Sequence, residues 1–199
     1  MATKAVSPDK NNAADYPDLQ DHISALEEAG LLFRIDRPVN KDTELHPLVR
    51  WQYRGGISDE GRKAFLFTNV HDSRGREFEM PVVVGALAAN REVYRTGIGV
   101  PLEQIGPHWA NAVNNPIEPV VVSSAQCQQV ILSGNDLLGD GKGLDALPVP
   151  ISTPGFDSAP YLTAGLFVTV DPDTGIQNMG TYRGGLKASN RMAVRMSAR

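Results

Sequence analysis

The chain has 199 residues, 41% of them hydrophobic, which is enough for one domain with a sizeable core or for two small domains. A net charge of −4 provides no general surface for polyanions, so nucleic acid is not an expected partner. The single cysteine, Cys127, cannot form an internal disulfide, and no run reaches the roughly 18 apolar residues of a membrane span, so a reducing, cytoplasmic setting is expected.

The N-terminal part begins with a predicted disordered tail over residues 1–17, which is polar and carries no secretion signal. A helix is then predicted over Leu19–Ala29. Asp18 is its expected N-cap, and Gly30 is well placed to end it. Leu31–Ile35 follows as a predicted strand.

Helices and strands continue to alternate as far as residue 115. A helix is predicted over 43–53, with Pro47 in its first turn, and strands are predicted over 63–70 and 80–84. A short helix capped by Asn90 should then reach about Tyr94. A turn over 97–101 and a helix from Pro101 to Val113 complete this region. Residues 18–115 are therefore predicted to form an N-terminal α/β region.

The second half of the chain, from residue 116, is dominated by strand patterns. Residues 120–123 and 128–132 are predicted as paired strands, and 133–143 as a Gly- and Asp-rich surface loop. A hairpin is predicted to start at Tyr161, with Gly175 at a positive φ in its turn. Its returning strand spans 176–183, and another strand spans 192–196.

The returning strand carries the pattern that points most directly to chemistry, Asn178-Met-Gly-Thr-Tyr-Arg183. Because strand side chains alternate, Asn178 and Tyr182 share one face, while Met179 and Arg183 share the other. An Asn carbonyl oxygen suits a hard cation, and a fixed guanidinium suits a carboxylate or phosphate. The alternative is an ordinary edge strand with a solvated Arg183 and a turn-forming Asn178.

The whole segment from Tyr161 to Arg183, YLTAGLFVTVDPDTGIQNMGTYR, resembles the signature of the UbiD-type decarboxylases. The resemblance extends through Leu147–Pro150 and, more weakly, back to Asp18. Members of that family remove or add carboxyl groups on aromatic or α,β-unsaturated acids, using prenylated FMN, a divalent metal and potassium. The resemblance implies an α+β fold class, in which the α/β region precedes an incomplete, flavin-binding split β-barrel region over residues 116–199.

The resemblance also assigns site residues. Arg183 would be catalytic, meeting both the flavin and the substrate carboxylate. Asn178 would ligate Mn²⁺ or Mg²⁺, and the backbone oxygen of Met179 would serve K⁺. The implied cofactor-binding residues are Thr163, Thr181, Tyr182, Arg183, Arg195, Met196 and Ser197. Simpler interpretations exist for three of them: Thr163 as a strand former, Arg195 as a surface charge and Met196 as core.

Family members place a His and then a Glu ligand beyond the position of Arg199. The chain is therefore interpreted as the N-terminal portion of a homo-oligomeric decarboxylase supplied by a flavin prenyltransferase, and it is expected to be inactive alone. Two other functions stay open, a non-catalytic flavin- or phosphate-binding subunit and an FMN reductase-like split barrel.

Overall fold

The computed structural model describes residues 18–118, 121–125 and 128–195, so the predicted tail over 1–17 lies outside the described residues. The chain divides into two compact units, each built from separate stretches of sequence. The first unit comprises the described parts of Met1–Phe33, Gly55–Leu66 and Val83–Val120, and the second those of Arg34–Arg54, Phe67–Val82 and Val121–Arg199.

Helices and strands are mixed along the described residues. The α-helices are α1 (Leu19–Glu28), α2 (Leu45–Arg54), α3 (Arg91–Ile98) and α4 (Ile105–Asn114). The strands are β1 (Leu32–Ile35), β2 (Val39–Asn40), β3 (Ala64–Phe67), β4 (Val70–His71), β5 (Glu77–Phe78), β6 (Val82–Val84), β7 (Tyr161–Val170), β8 (Gln177–Ala188) and β9 (Arg191–Val194). They form three small sheets with the strand orders β1-β3-β6, β2-β4-β5 and β7-β8-β9.

This arrangement confirms the α+β class, but the described strands do not close into a barrel. The prediction of paired strands over 120–123 and 128–132 is wrong for the residues that the structure describes there, because 121–123 and 128–132 form no strand. Their apolar side chains stay exposed, as Val121 and Val130 show. A β-branched run forms a strand only where a neighbouring strand pairs with it.

Helix α1 begins and ends as its sequence predicts. Asp18 Oδ1 accepts hydrogen bonds from the backbone N–H groups of Gln20, at 2.7 Å, and Asp21, at 3.1 Å. At the other end Gly30 adopts a φ of 67°, and its N–H donates to Glu27 O. The next residue, Leu31, donates to Leu26 O at 2.8 Å, which completes a Schellman C-cap.

Helix α3 packs against α1 in the first unit and is longer than predicted. Asn90 caps it as expected, accepting from Val93 N at 2.8 Å, but the helix continues through Gly97 to Ile98 instead of ending near Tyr94. A Cβ on Gly97 would lie 3.4 Å from His22 Cε1, so the glycine permits close approach to α1. The buried core of this unit consists of Ile23, Leu26, Leu32, Ala64, Leu66, Ala86, Ala89 and Val93.

The second unit contains the other two sheets. Strand β2 pairs in parallel with β4, and β4 pairs antiparallel with β5. Helix α2 lies between β2 and β4 in the sequence, with Pro47 as its third residue, a first-turn position where the missing N–H has no helical partner to lose. Val39, Leu45, Phe67 and Val70 are the fully buried side chains around these elements.

The third sheet is a long hairpin, β7–β8, extended by the short strand β9. β7 and β8 run antiparallel, with Val170 opposite Gln177 at the turn and Tyr161 opposite Gly185 at the far end. The register shifts between Leu162 and Gly165, which marks a β-bulge. β9 pairs only with the Gly184–Ala188 part of β8. No helix in the described ranges is long and apolar enough to cross a membrane.

Candidate functional site

The predicted site residues lie mostly on the hairpin. β8 carries Asn178, Met179, Thr181, Tyr182 and Arg183, whereas Thr163 lies at the bulge of β7. Arg195 directly follows β9 and is exposed. Met196 and Ser197 lie outside the described residues, so their proposed contacts with the cofactor have no structural description.

The register of the hairpin places Asn178 and Arg183 on opposite faces of β8. Asn178 lies opposite Thr169 in the β7–β8 register. Tyr182 lies four residues further along β8 on the same face as Asn178, and its ring meets the Phe167 ring edge-on with the centroids 5.9 Å apart. The Arg183 side chain lies on the other face of β8, against the Tyr161 ring. The structure therefore brings Tyr182 together with Phe167, and Arg183 together with Tyr161, but it does not bring the Asn178 and Arg183 side chains together.

The turn of the hairpin is built by Asp171, a residue that the sequence patterns did not single out. Its Oδ1 accepts from Asp173 N at 2.8 Å and from Thr174 N at 2.9 Å. These backbone hydrogen bonds, from Thr174 first and then Asp173, hold the pKa of the Asp171 carboxyl below its ordinary value. Gly175 adopts a φ of 72°, which confirms the predicted positive φ.

Arg183 has two close neighbours in the second unit. Its Cζ lies 4.3 Å from the centroid of the Tyr161 ring, a cation–π arrangement. Its Nη2 lies 3.4 Å from both carboxylate oxygens of Asp157. The Arg183 side chain is 50% exposed, whereas that of Asp157 is only 10% exposed. The guanidinium is therefore flanked by an aromatic face and an almost buried carboxylate while remaining open to solvent.

The glycine pair after Arg183 makes this arrangement possible. A Cβ on Gly185 would lie 2.7 Å from Tyr161 Cε1, and a Cβ on Gly184 would collide with Met192 Sδ. The sequence predicts that these glycines let the chain pass closely by a ligand or another strand. In the structure, β8 continues through both glycines to Ala188, and the space that they leave is occupied by the side chains of Tyr161 and Met192.

Asp157 is itself fixed by the loop that precedes β7. Its Oδ2 accepts from Thr153 N at 2.9 Å. A second arginine, Arg50 on α2, donates through Nη2 to Ser152 O at 2.9 Å and to Thr153 Oγ1 at 3.0 Å. The loop therefore receives support from α2 on one side and presents a carboxylate to β8 on the other.

The charges of Arg50, Asp157 and Arg183 also act on the imidazole of His46, which lies on α2. Burial lowers the pKa of its imidazole below the ordinary value of 6.5, and the positive charges of Arg50 and Arg183 lower it further. The negative charge of Asp157 opposes them. His46, Arg50 and Asp157 were missed by the sequence patterns. The i, i+4 spacing of His46 and Arg50 indicates one helix face, but no pattern indicates which strand that face approaches.

The metal ligands predicted on β8 do not form a complete site by themselves. The Asn178 side chain is exposed, and Met179 is 61% exposed. No cluster of three or more His, Cys, Asp and Glu side chains that could hold a metal ion occurs within 18–118, 121–125 and 128–195. Asn178 supplies one neutral oxygen, whereas a hard cation takes about six ligands. The described residues thus provide one ligand and not a whole metal centre.

An open cleft of about 580 Å³ lies elsewhere in the second unit, and none of the predicted site residues lines it. Its charged lining balances four cations with four anions: Lys41, Arg74, Arg76 and Lys187 against Asp42, Asp72, Asp140 and Asp145. Two of the ion pairs are short, with Arg76 Nη1 2.6 Å from Asp145 Oδ2 and Lys41 Nζ 2.6 Å from Asp42 Oδ1. The cleft therefore offers little net charge for an anionic ligand, and the Arg183 region remains the better candidate.

Two family models match the chain and together span most of it. Residues 23–113 match the N-terminal domain of 3-octaprenyl-4-hydroxybenzoate carboxy-lyase, UbiD, and residues 119–199 match its Rift-related domain. The chain belongs to the UbiD family. Asn178, Arg183, Asp157 and Tyr161 all lie within the part that matches the Rift-related domain.

Solved structures of UbiD-class enzymes have the same fold. HmfF from Pelotomaculum thermopropionicum, in complex with FMN, is 28% identical with a TM-score of 0.72, over 90% of this chain and 37% of that one. An evolved dimeric form of HmfF in complex with prFMN is also 28% identical, with a TM-score of 0.73, over 90% of this chain and 38% of its own. The apo 3,4-dihydroxybenzoic acid decarboxylase from Enterobacter cloacae is 26% identical, with a TM-score of 0.73, over 91% and 37%. The chain thus spans little more than a third of the length of these relatives.

Proposed function

We propose that this chain is the N-terminal, cofactor-binding portion of a non-oxidative, reversible decarboxylase of aromatic or α,β-unsaturated carboxylic acids that uses prenylated FMN. Family membership and the two HmfF structures, one with FMN and one with prFMN, support the cofactor. The observation that carries the proposal within this chain is the open guanidinium of Arg183, held against the Tyr161 ring.

Arg183 is the residue that would hold the substrate. Within the described residues, its Nη2 hydrogen-bonds to Asp157, and its Nε and Nη1 have no protein partner. Together with the second N–H of Nη2, either Nε or Nη1 forms an edge that binds a carboxylate through two parallel hydrogen bonds. Arg183 therefore orients the acid so that the bond to its carboxyl carbon lies in the geometry required for cleavage.

Asn178 would act at a different point of the same elongated cofactor. Five residues of strand separate it from Arg183, a distance of about 17 Å along an extended chain. Along Gln177–Arg183, β8 is paired with β7, and no described strand lies on its other edge. A ligand along that open edge can be reached by Asn178 from one face of β8 and by Arg183 from the other. This arrangement supports separate roles at the two ends of the cofactor.

The finer assignments form part of the same proposal. When bound, prenylated FMN would supply the electron sink for the bonding pair that stays behind when carbon dioxide leaves. Thr163, Thr181, Tyr182, Arg195, Met196 and Ser197 would line it, as part of a split β-barrel. Asn178 would contribute one ligand to Mn²⁺ or Mg²⁺, and the Met179 backbone oxygen would contact K⁺, with the remaining ligands supplied by groups other than the described residues.

The proposed partners follow from the same interpretation. A flavin prenyltransferase would supply the cofactor, and the complete enzyme would be a cytoplasmic homo-oligomer. Exposed apolar side chains along the hairpin, such as Leu166, Val168 and Met179, support contact with further protein.

The decisive experiment is co-expression of the complete reading frame that contains this chain with a flavin prenyltransferase. We expect the purified protein to carry prenylated FMN, identified by its visible spectrum and by mass spectrometry of the extracted cofactor, and to decarboxylate an aromatic or unsaturated acid. Ordinary FMN that is reduced by a nicotinamide cofactor would favour an FMN reductase instead. Bound flavin or phosphate without turnover of any acid would favour a non-catalytic subunit.

A further inference from the structure

The contact between Arg183 and Asp157 is not explained by substrate binding. A neighbouring carboxylate does not raise the affinity of an arginine for an acidic substrate, because that carboxylate competes with the substrate for the guanidinium and repels the substrate. Nevertheless Asp157 places both of its oxygens 3.4 Å from Arg183 Nη2, with its side chain only 10% exposed. An acid in this position needs another role.

Asp157 does not depend on Arg183 for its position. Thr153 N donates to its Oδ2 at 2.9 Å, and Arg50 Nη2 holds Thr153 through its Oγ1 at 3.0 Å. The Arg183 side chain, in contrast, is 50% exposed. The almost buried acid is therefore the fixed member of the pair, and the half-exposed arginine is the member that gains order from the contact.

We propose that Asp157 is a positioning residue for Arg183, which it holds through Nη2 against the Tyr161 ring so that the other N–H groups of the guanidinium face the substrate carboxylate. The role of Arg183 in this inference rests on the proposed function. Nη2 contacts Asp157 at the long limit of a hydrogen bond, while the Tyr161 ring covers one face of the guanidinium at 4.3 Å. Two restraints in different directions fix the orientation of a planar group.

The energetic consequence lies in catalysis and not in stability. An ion pair in which one partner is half-exposed contributes little to the stability of a fold. A guanidinium that leaves its productive orientation, however, can slow the chemical step by about 100-fold. Removing the negative charge of Asp157 also makes the electrostatic potential around Arg183 more positive, so that an incoming carboxylate is attracted more strongly. Asp157→Asn should therefore lower kcat without raising KM when the rate is expressed per cofactor-loaded protein, so that a smaller folded fraction does not lower the measured kcat.

The kinetic arm uses the complete, cofactor-loaded protein. Asn at position 157 keeps the size of the side chain and an oxygen for Thr153 N, so only the charge is lost. We expect kcat to fall by about 10- to 100-fold with KM unchanged or lower. Asp157→Glu, which keeps the charge, should recover part of kcat. The matched control is Asp173→Asn, an exposed acid whose backbone N–H, and not its carboxylate, makes the hydrogen bond in the turn, and it should leave kcat and KM unchanged.

His46 provides a readout that needs neither cofactor nor turnover. Arg50, Asp157 and Arg183 are the charged groups that act on its imidazole. Removing the positive charge with Arg183→Gln should raise the His46 pKa, as measured by NMR. If Asp157 holds Arg183 in place, the guanidinium moves away in Asp157→Asn, and the same Arg183→Gln substitution should then raise the His46 pKa by less. An equal or larger rise in the Asp157→Asn background, or no rise in either, overturns the inference.

The two arms separate failure of the inference from failure of the proposed function. If no flavin binds and no acid is decarboxylated, the proposed function fails, and the His46 titration alone decides whether Asp157 positions Arg183. If the protein is active while the Arg183→Gln effect on His46 is the same in both backgrounds, or while Asp157→Asn raises KM and leaves kcat unchanged, the inference alone fails.

Discussion

The Tyr161 ring occupies the space that a side chain on Gly185 would need. The two residues are opposite one another in the β7–β8 register, and a Cβ on Gly185 would lie 2.7 Å from Tyr161 Cε1. The same ring covers the guanidinium of Arg183, the candidate catalytic residue. The absence of a side chain at position 185 therefore leaves room for the ring that Arg183 contacts.

Gly185→Ala should therefore destabilise the hairpin and displace the Tyr161 ring. We expect the free energy of unfolding to fall by about 1–3 kcal/mol, as in other overpacked positions, measured by urea denaturation. Gly106→Ala is the matched control, since Gly106 lies in α4, where a Cβ would meet nothing within 4 Å and the helical backbone suits Ala. It should leave stability unchanged or raise it. Equal effects of the two substitutions would contradict the packing argument.

The ion pair between Arg76 and Asp145 should contribute to stability in a pH-dependent way. Arg76 Nη1 and Nη2 donate to the two Asp145 oxygens at 2.6 and 3.2 Å, and Gly141 N donates to Oδ2 at 2.7 Å. These contacts, Arg76 first, hold the pKa of Asp145 below its ordinary value. The stabilisation is therefore complete above the unfolded-state pKa and is lost as the pH falls through the lowered folded-state pKa.

Arg76→Gln should lower the free energy of unfolding at pH 7 by about 1–3 kcal/mol, because the bidentate, charge-assisted hydrogen bond to Asp145 and the ion pair with Asp72 are both lost. Urea denaturation at a series of pH values checks this prediction. The difference between the wild type and the variant should shrink in acid, once Asp145 and Asp72 are protonated in both. Arg95→Gln, which removes an exposed pair with Glu92, is the control and should have a much smaller effect. A difference that stays constant down to the acid limit would be inconsistent with the proposed pairing.

His46 should make the protein less stable as the pH falls below neutrality. Its folded-state pKa is lowered by burial and by Arg50, so the unfolded chain binds the proton more tightly. Stability should therefore rise with pH through the window that ends near the ordinary value of 6.5. His46→Gln should flatten the dependence of the unfolding free energy between about pH 5 and 7. His108→Gln, at an exposed position on α4, should leave that slope in place. An unchanged slope in His46→Gln would refute the assignment.

Local signals in the sequence predict much of this fold. Asp18 and Gly30 define the ends of α1, because capping depends only on neighbouring backbone groups. Gly175 likewise marks the turn of the hairpin. The family models, which meet between residues 113 and 119, lie close to the predicted division at residue 115, although that domain division stays a prediction.

Non-local contacts explain what the sequence patterns missed. The run 128–132 has strand-like composition, but whether it forms a strand depends on a partner elsewhere in the chain, and the described residues provide none. Asp157 is separated from Arg183 by 26 residues, and His46 is still further away in sequence. Neither belongs to a periodic pattern that indicates the hairpin. The motif on β8 therefore predicts Arg183 as a candidate site residue, and only the three-dimensional structure shows which residues lie around it.

Asn178 should contribute to metal and cofactor binding in the complete protein. Its carboxamide is exposed on the face of β8 opposite Arg183, and an amide oxygen is a suitable ligand for Mn²⁺ or Mg²⁺. Asn178→Ala should lower metal affinity by about 10-fold or more and reduce the fraction of protein with bound flavin, measured by metal analysis and absorbance. Gln177→Ala is the matched control, because it removes a carboxamide from the adjacent, exposed position whose side chain points to the other face. Equal metal and flavin occupancy in both variants would show that Asn178 is not a ligand, whereas a loss confined to Asn178→Ala places the metal on that face of β8.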